Sequence, residues 1–289
     1  MLFTPCLLLY QLYMTILKLL KTTFRWSKLT CCSLLVCSCD LFDYHPYDTK
    51  MDGAHDINAH NIEQIEKQCA GHKTIRFVQI SDTQRWYDET RDAVRSINAR
   101  DDIDFVVHCG DVSDFGVTSE FEVQRDILQK LDVPYVVLLG NHDCLGTGPD
   151  VYRYIFGKPD FTFDAGDTHF VCLNTNAYEY DYSTPIPDFT FIQKDQDNLK
   201  SDIKRTVIAM HAQPFSDQFN NNTAKAFEYS INKYPGLAFC ICGHGHSMQV
   251  NDLFGDGILY YECSAAKNRK YVIFTLKEDG SYDTEEVQY

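Results

Sequence analysis

Positive charge is scarce in this chain of 289 residues, in which 26 lysines and arginines stand against 41 aspartates and glutamates. The formal net charge is −15. Four of the 26 basic residues lie in the first 38 positions, where no acidic residue occurs, so removal of that segment leaves 22 and a formal charge of −19. A surface of this sign repels polyanions, which argues against direct binding of nucleic acid or of an anionic membrane surface.

Long apolar runs, internal repeats and regular cysteine spacing are also missing. Beyond the N-terminal segment, no apolar run is long enough to span a membrane. Five of the twelve cysteines lie within the first 39 residues, and the other seven show no zinc-finger spacing. An odd number without regular spacing predicts buried thiols that behave as small apolar residues.

The first 38 residues have the layout of an export signal. Basic residues precede the short apolar stretch "LTCCSLLVCS", which is too short for a transmembrane helix, and Met14 gives a more compact basic segment as the start. Small residues before Cys39 resemble a bacterial lipobox, in which this cysteine is lipidated and becomes the mature N-terminus. We expect a periplasmic or outer-membrane-anchored lipoprotein, attached to the membrane through Cys39. An uncleaved anchor helix is the alternative.

After this signal peptide at residues 1–38, we expect a tether at 39–72 and one domain at 73–289. The tether contains "NAHNIEQIEKQ", which predicts a short helix capped by its asparagine. From residue 73, the apolar strands "TIRFVQI", "IDFVVHC" and "PYVVLL" alternate with the helical segments "DETRDAVRSINAR" and "SEFEVQRDILQKL", the second with a serine cap. This βαβαβ order predicts a partly parallel sheet with helices packed against it.

The second half is richer in strands. "FTFDAGDTHFVCLN" predicts a hairpin, and further strands are predicted at "RTVIAM", "GLAFCIC", "GILYYEC", "KYVIFTL" and "SYDTEEVQY". "KDQDNLKSDI" predicts a short helix. The loop between them carries Tyr178, Tyr180 and Tyr182, which could stack on a nucleobase or sugar or could be plain surface aromatics.

Polar side chains follow five of the predicted strands. They are Asp82 and Gln84, Asp111, Asn141 and His142, His211, and finally His244 and His246. Because active sites in such sheets collect beyond the carboxyl ends of the strands, we expect these side chains to converge. Their oxygen and nitrogen donors suit Mn, Fe, Zn or Mg, and a carboxylate is the usual bridge between two ions about 4 Å apart.

In this order the motifs resemble those of the calcineurin-like metallophosphoesterases. They read Asp82-Thr83-Gln84, Gly110-Asp111-Val112-Ser113-Asp114, Gly140-Asn141-His142-Asp143, a lone His211, and Gly243-His244-Gly245-His246. The resemblance covers residues 76 to about 276. It implies an α/β fold, a four-layer α/β/β/α sandwich of two mixed sheets. It also implies a metal-dependent phosphoric ester hydrolase, a phosphomonoesterase or phosphodiesterase, in which a metal-bridging hydroxide attacks phosphorus.

The resemblance further implies a role for each residue. The first metal would be held by Asp82, Gln84, Asp111 and His246. Asp111 would bridge to a second metal, held also by Asn141, His211 and His244. The catalytic residues would be His142, which contacts the phosphate and protonates or stabilises the leaving oxygen, and Asp143, which orients His142.

Gln84 departs from the family pattern, which more commonly has histidine at this position. An amide oxygen in place of an imidazole favours Mn or Mg over Zn in the first site, so we expect two divalent ions, with Mn favoured and Fe, Zn or Mg open. The expected partner is a small-molecule or nucleotide-type phosphate ester, recognised by loops 144–160 and 175–193. A lipoprotein that binds a phosphorylated ligand through metals without turnover is the alternative. His108 and His169 are expected to be structural, and His72 and the other histidines of the tether incidental.

Overall fold

The computed structural model describes residues 12–21, 45 and 47–289. Residues 12–21 form a helix, α1, in a first compact unit, Met1–His45; the second unit is Pro46–Tyr289. Cys39 and most of the expected signal peptide lie outside the described residues, so their assignment stays a prediction. Within the described ranges, every helix is too short or too polar to cross a membrane.

The second unit contains two mixed sheets. Five strands form the first: β1 (Ile75–Ile80), β2 (Phe105–His108), β3 (Tyr135–Val137), β10 (Lys270–Leu276) and β11 (Tyr282–Gln288), in the order β11-β10-β1-β2-β3. Six strands form the second: β4 (Phe161–Ala165), β5 (Thr168–Leu173), β6 (Arg205–Met210), β7 (Leu237–Cys242), β8 (Gln249–Asp252) and β9 (Leu259–Glu262), in the order β4-β5-β6-β7-β9-β8. The central strands β1-β2-β3 and β5-β6-β7-β9 run parallel, with antiparallel strands at the edges.

Helices pack on the outer face of each sheet, except α2, which lies along the edge strands β3 and β4. The helices are α2 (Ile57–Gln68), α3 (Tyr87–Asn98), α4 (Thr118–Leu128), α5 (Gly148–Ile155), α6 (Phe189–Asn198) and α7 (Ala224–Ile231). Successive side chains of a strand point to opposite faces, so Phe77 of β1 packs between the two sheets while Val78 packs under the helices. Phe77 stacks on Phe105 and Phe274 and meets Phe170 of the second sheet edge-on, with ring centroids 5.0–5.4 Å apart. The expected four-layer α/β/β/α sandwich is confirmed.

Helix α2 is the short helix expected in segment 39–72, and it packs within the second unit. Its Ile65 and the following Cys69 are fully buried in the core between the sheets. The expected asparagine cap is wrong, because Asp56 occupies the N-cap position and Asn58 lies inside the helix. The amide of Asn58 instead exchanges two hydrogen bonds with the backbone of Val137, at 2.8 and 2.9 Å.

Two other helices begin elsewhere than expected. Helix α4 begins at Thr118 after Val117, so the expected serine cap is wrong; Glu120 accepts hydrogen bonds from the backbone N–H groups that precede the helix. Helix α6 begins at Phe189 because Asp188 accepts hydrogen bonds from the N–H groups of its first turn. Helices α5 and α7 and strand β8 were not expected, and α5 occupies much of the expected loop 144–160.

Candidate metal centre

The carboxyl ends of the parallel strands bring three buried side chains together. Asp82 follows β1, Asp111 follows β2 and His211 follows β6. One carboxylate oxygen from each aspartate and one ring nitrogen of His211 all lie within 4.8 Å of one another. The strand ends of both sheets therefore converge on one polar centre, as the order of motifs predicts.

The backbone at this centre is strained. Asp82 and Asp111 have φ angles of 53° and 62°, and His244 and His246 have φ angles of 74° and 62°. An L-residue pays about 1–3 kcal/mol in such a conformation, which persists only where surrounding contacts enforce it. Four strained residues in one cluster indicate that the surrounding fold forces these side chains to point toward a common centre.

Asp143 is the contact that enforces the loop around Asp111. Its buried carboxylate accepts hydrogen bonds of 2.8–3.0 Å from the backbone N–H groups of Gly140, Asp111, Val112 and Ser113, and from the Ser113 hydroxyl. Gly140 permits the close approach, since a Cβ there would lie 2.1 Å from a carboxylate oxygen of Asp111. Asp143 thus fixes the position of the expected bridging residue.

The neighbour of His142 is not Asp143 but Asp114. The His142 Nδ1–H donates to the main-chain carbonyl oxygen of Asp114 at 2.9 Å, and the Asp114 carboxylate lies 3.6 Å from the same nitrogen. The expected orientation of His142 by Asp143 is therefore wrong in its geometry. The carboxylate of Asp143 is already occupied by the backbone of the two loops.

His211 is held in the form that a metal ligand requires. Its Nδ1–H donates to the carbonyl oxygen of Cys109 at 2.7 Å, so Nε2 carries the lone pair and lies 2.9 Å from Oδ1 of Asn141. Burial, together with the neighbouring His244, lowers the pKa of His211 to about 4 against the opposing charge of Asp82. A neutral imidazole with a free Nε2 is therefore the resting state.

His244 is oriented by a carboxylate that the motifs do not include. Its Nε2 donates to Asp217 at 2.7 Å, while its Nδ1 lies 3.0 Å from Oδ1 of Asn141. The amide oxygen of Asn141 thus lies between His211 and His244, where one ion could share all three. Asp217 lies in an irregular loop after β6, and no pattern in the sequence marks it.

The other expected ligands leave buried oxygens without hydrogen-bond donors. Oε1 of Gln84 has no donor, although its Nε2 donates to Asp111 at 3.3 Å. Oδ1 of Asp82 also has none, although His246 Nε2 is 3.2 Å away in poor hydrogen-bond geometry. Buried oxygens of this kind cost free energy unless something satisfies them, and a cation does so.

The buried negative charges at the centre also favour a bound cation. Burial raises the pKa of Asp111 well above its usual range, and the negative charges of Asp82 and Asp143 raise it further. A bound cation would reverse this effect and keep Asp111 ionised. The residue types fit two divalent cations: Asp82, Gln84, Asp111 and His246 around one, and Asp111, Asn141, His211 and His244 around the other.

Two buried histidines near these elements have structural roles, as expected. His108 contacts Thr83 at 2.9 Å and accepts a hydrogen bond from the Gly110 N–H at 3.1 Å, and burial lowers its pKa to about 3. His169 is held between Asp164 and Asp195 at 2.7 and 3.0 Å.

Comparison with known proteins identifies the family and the fold. The sequence profile of the calcineurin-like phosphoesterase family matches residues 75–248. No curated sequence is significantly similar to the chain.

Among solved structures, a dimetal phosphatase from Danio rerio is similar at a TM-score of 0.58 and 14% identity, over 74% of this chain and 99% of that chain. Purple acid phosphatase PPD1 from yellow lupin is similar at 0.57 and 14% identity, over 74% of this chain and 51% of that chain. GAP50, described as the anchor in the inner membrane complex of Plasmodium, is similar at 0.55 and 12% identity, over 74% and 84%. These structures share the fold. The profile match, which covers more than half of the chain, shows that the chain belongs to the calcineurin-like phosphoesterase family.

Proposed function

We propose that this protein hydrolyses a phosphate ester at a centre that binds two divalent cations. The observation that carries the proposal is the convergence of Asp82, Asp111 and His211 within 4.8 Å of one another. The orphaned oxygen of Gln84 lies in the same buried centre. Two bound cations would supply an activated water that attacks phosphorus and would neutralise the charge of the phosphoryl oxygens.

The chain's own residues divide the remaining work. Asp111 keeps its carboxylate between the two ligand sets, because Asp143 and the close approach of Gly140 fix its backbone. His142 is the proton donor of the proposal. Its Nδ1–H is held by the Asp114 carbonyl, so Nε2 is the atom left to meet the leaving oxygen, and the side chain is one-third exposed. In the imidazolium form Nε2 also carries a proton, which passes to the leaving oxygen and leaves the ring neutral with its proton on Nδ1.

Manganese is the metal that we propose for the first site. Its ligand set of Asp82, Gln84, Asp111 and His246 offers oxygen from three side chains and nitrogen from one. Oxygen-rich sets suit Mn or Mg better than Zn. The buried Oε1 of Gln84 supports this assignment, because it is free to bind an ion.

For the substrate we propose a small-molecule or nucleotide-type phosphate ester. Tyr178 and Tyr182 are exposed, and their rings meet edge-on with centroids 6.2 Å apart. The N–H of Tyr178 donates to the carbonyl of Gln218 at 3.2 Å, next to Asp217, which accepts a hydrogen bond from His244. The tyrosine loop is thus attached to the loop that orients a ligand, where its rings could stack on an aromatic part of the substrate.

The test is hydrolysis of a chromogenic phosphomonoester and a phosphodiester after the protein is stripped with a chelator and loaded with Mn, Mg, Fe or Zn. We expect hydrolysis with Mn above the other ions. Asp111→Asn should abolish it and reduce bound metal well below two ions per chain by elemental analysis, whereas Asp202→Asn, at an exposed site, should change neither.

The second candidate function is metal-dependent binding of a phosphorylated ligand without turnover. The observation that favours it is Gln84, because an amide is a weaker ligand than imidazole and leaves the first ion less firmly held. Full occupancy by two ions with no hydrolysis of either ester would support this second function and contradict the first.

For localisation we propose an exported lipoprotein anchored through Cys39, on the sequence pattern alone. Cys39→Ala should release the protein from the membrane fraction of the expressing bacterium. Unchanged membrane association would instead support the uncleaved anchor helix.

A further inference from the structure

A second cluster of metal-binding side chains lies at the other end of strand β2. Cys69 follows α2, His72 lies in the next turn, and Asp104 immediately precedes β2. One ligand atom from each lies within 4.8 Å of the others. Asp111, by contrast, lies beyond the carboxyl end of β2, so the length of the strand, at about 3.3 Å per residue, separates the two clusters.

The backbone that carries this cluster is held in place. The N–H of His72 donates to the carbonyl of Cys69 at 2.9 Å, which closes a tight turn. The turn between β4 and β5 packs against it, since a Cβ on Gly166 would lie only 2.4 Å from the carbonyl oxygen of His72. The Cys-x-x-His spacing therefore presents both side chains from one fixed turn.

Asp104 is positioned with one oxygen to spare. Its Oδ2 accepts a hydrogen bond from the N–H of Arg76 at 2.7 Å, and its carbonyl oxygen accepts one from Gln68 at 2.5 Å. Its Oδ1 lies 3.7 Å from Nδ1 of His72. Two ligands of a tetrahedral zinc ion, with bonds of 2.0–2.3 Å, stand about 3.3–3.8 Å apart, so this spacing matches zinc binding.

The cluster has the chemistry of a zinc site and not that of a nucleophile. A reactive thiol needs exposure to solvent, whereas Cys69 is fully buried. A thiol, an imidazole and a carboxylate are together a zinc ligand set that leaves a fourth position for water. The side chain of His72 is 49% exposed and that of Asp104 22%, so an ion can enter from solvent.

We propose that Cys69, His72 and Asp104 bind one zinc ion at a site separate from the dinuclear centre. On binding, the thiol proton passes to solvent and the thiolate, imidazole and carboxylate close around the ion. The ion would link the end of α2 to the start of β2. The hydrogen bond from the Gln68 amide to the carbonyl oxygen of Asp104 already joins these two elements, and the ion would add a second link. It would stabilise the folded chain in proportion to its affinity.

Cobalt is the probe that separates the two sites. Metal-free protein is titrated with Co²⁺, and absorption is followed in the near-ultraviolet, where thiolate-to-cobalt charge transfer occurs. The dinuclear ligand set contains no cysteine, so that centre cannot give this band, and a band that is lost in Cys69→Ser belongs to the proposed site. We expect one equivalent of the chromophore, lost on addition of one equivalent of Zn²⁺.

Variants decide the assignment. Cys69→Ser should abolish the band and leave the metal content of the dinuclear centre unchanged. Because Cys69 is buried and its replacement could impair folding, His72→Ala is the second variant, and it should weaken zinc binding by more than about 100-fold, beyond the usual loss on removing an outer partner. His60→Ala, an exposed histidine of α2, should change nothing. Absence of the band in folded wild-type protein, or its persistence in both variants, would overturn the proposal.

Discussion

At the scale of single residues, His142 is a site residue whose ring is partly open to solvent. Its Nδ1–H donates to the Asp114 carbonyl, which leaves Nε2 as the ring nitrogen available to a substrate. His142→Gln should therefore keep both metals and lower the rate of hydrolysis by about 10²–10⁴-fold, the usual contribution of a positioned acid. The measurement is the turnover rate, with metal content determined on the same samples.

The leaving group distinguishes protonation from binding at His142. A substrate whose leaving group is a weak base needs no proton, so the loss in His142→Gln should shrink for such esters. An equal loss for good and poor leaving groups would show that His142 binds the phosphate and does not protonate the product.

Asp217 is not an expected ligand, but it holds the expected ligand His244 by a hydrogen bond. Its hydrogen bond to His244 lowers the pKa of Asp217 against a smaller opposing effect of burial, and it turns Nδ1 of His244 toward Asn141. Asp217→Asn should weaken binding of the second ion by about 10–100-fold, measured by competition with a chelator. Asp181→Asn, on the neighbouring tyrosine loop, is the control. Equal affinities in both variants would mean that His244 is held without Asp217.

At the scale of elements, Asn58 is a fully enclosed side chain that joins α2 to the first sheet. Asn58 is buried and pairs with both the N–H and the carbonyl oxygen of Val137, at the edge strand β3. Asn58→Ala would leave two buried backbone groups without this partner and should lower the free energy of unfolding by about 2–4 kcal/mol. The measurement is the midpoint of urea unfolding at constant slope.

Asn61 provides a matched control on the same helix. It donates to the Tyr135 carbonyl at 2.7 Å, but the site is only part-buried, so water can replace the lost partner. Asn61→Ala should therefore cost less than about 1 kcal/mol. If both substitutions cost the same, the backbone of Val137 does not depend on Asn58.

Strands that are buried on both faces could be predicted from sequence, and the exposed edge strand β11 could be predicted from its own pattern, whereas the short polar strand β8 and the helix α5 could not. Strands β6 and β10 occur where "RTVIAM" and "KYVIFTL" place them, because a strand between two layers is a continuous apolar run. Strand β8, "QVND", is a polar edge strand that exists only through its pairing with β9. Helix α5 begins with Gly148 and Pro149, which resemble a turn in sequence although proline is favoured at a helix start.

The candidate site divides in the same way. Residues that closely follow a strand, such as Asp82 and His211, could be found because the apolar run of the strand marks where it ends. The structure brings them together, while the ligand roles themselves stay predictions. Asp217 and the true contacts of Asp143 could not be found, since both depend on loops meeting across the two sheets.

At the scale of the whole molecule, His169 connects the hairpin β4–β5 to helix α6 and makes stability depend on pH. Its side chain is almost fully buried, with Nδ1 on Asp164 and Nε2 on Asp195. Lys200 also contacts Asp164 at 2.6 Å, and the Tyr234 hydroxyl donates to Asp195 at 2.8 Å. Burial alone would lower the pKa of His169, but the two carboxylates outweigh it and raise the pKa to about 9.

The raised pKa of His169 determines whether stability rises or falls with pH and over which pH range it does so. An unfolded histidine has a pKa near 6.5, so the folded protein binds this proton more tightly than the unfolded chain does. The resulting stability is fully present below about pH 6.5 and is lost as the pH rises through about 9, by about 3 kcal/mol in all.

Urea unfolding measured between pH 6 and about 9.5 should show this decline in the wild-type protein. His169→Gln should be less stable at pH 6 by a similar amount and should approach the wild-type curve at the alkaline end. Thiols and tyrosines that titrate in this range do so in both proteins, so the difference between the two curves isolates His169. A constant offset between the curves would show that His169 contributes by packing and not by its charge.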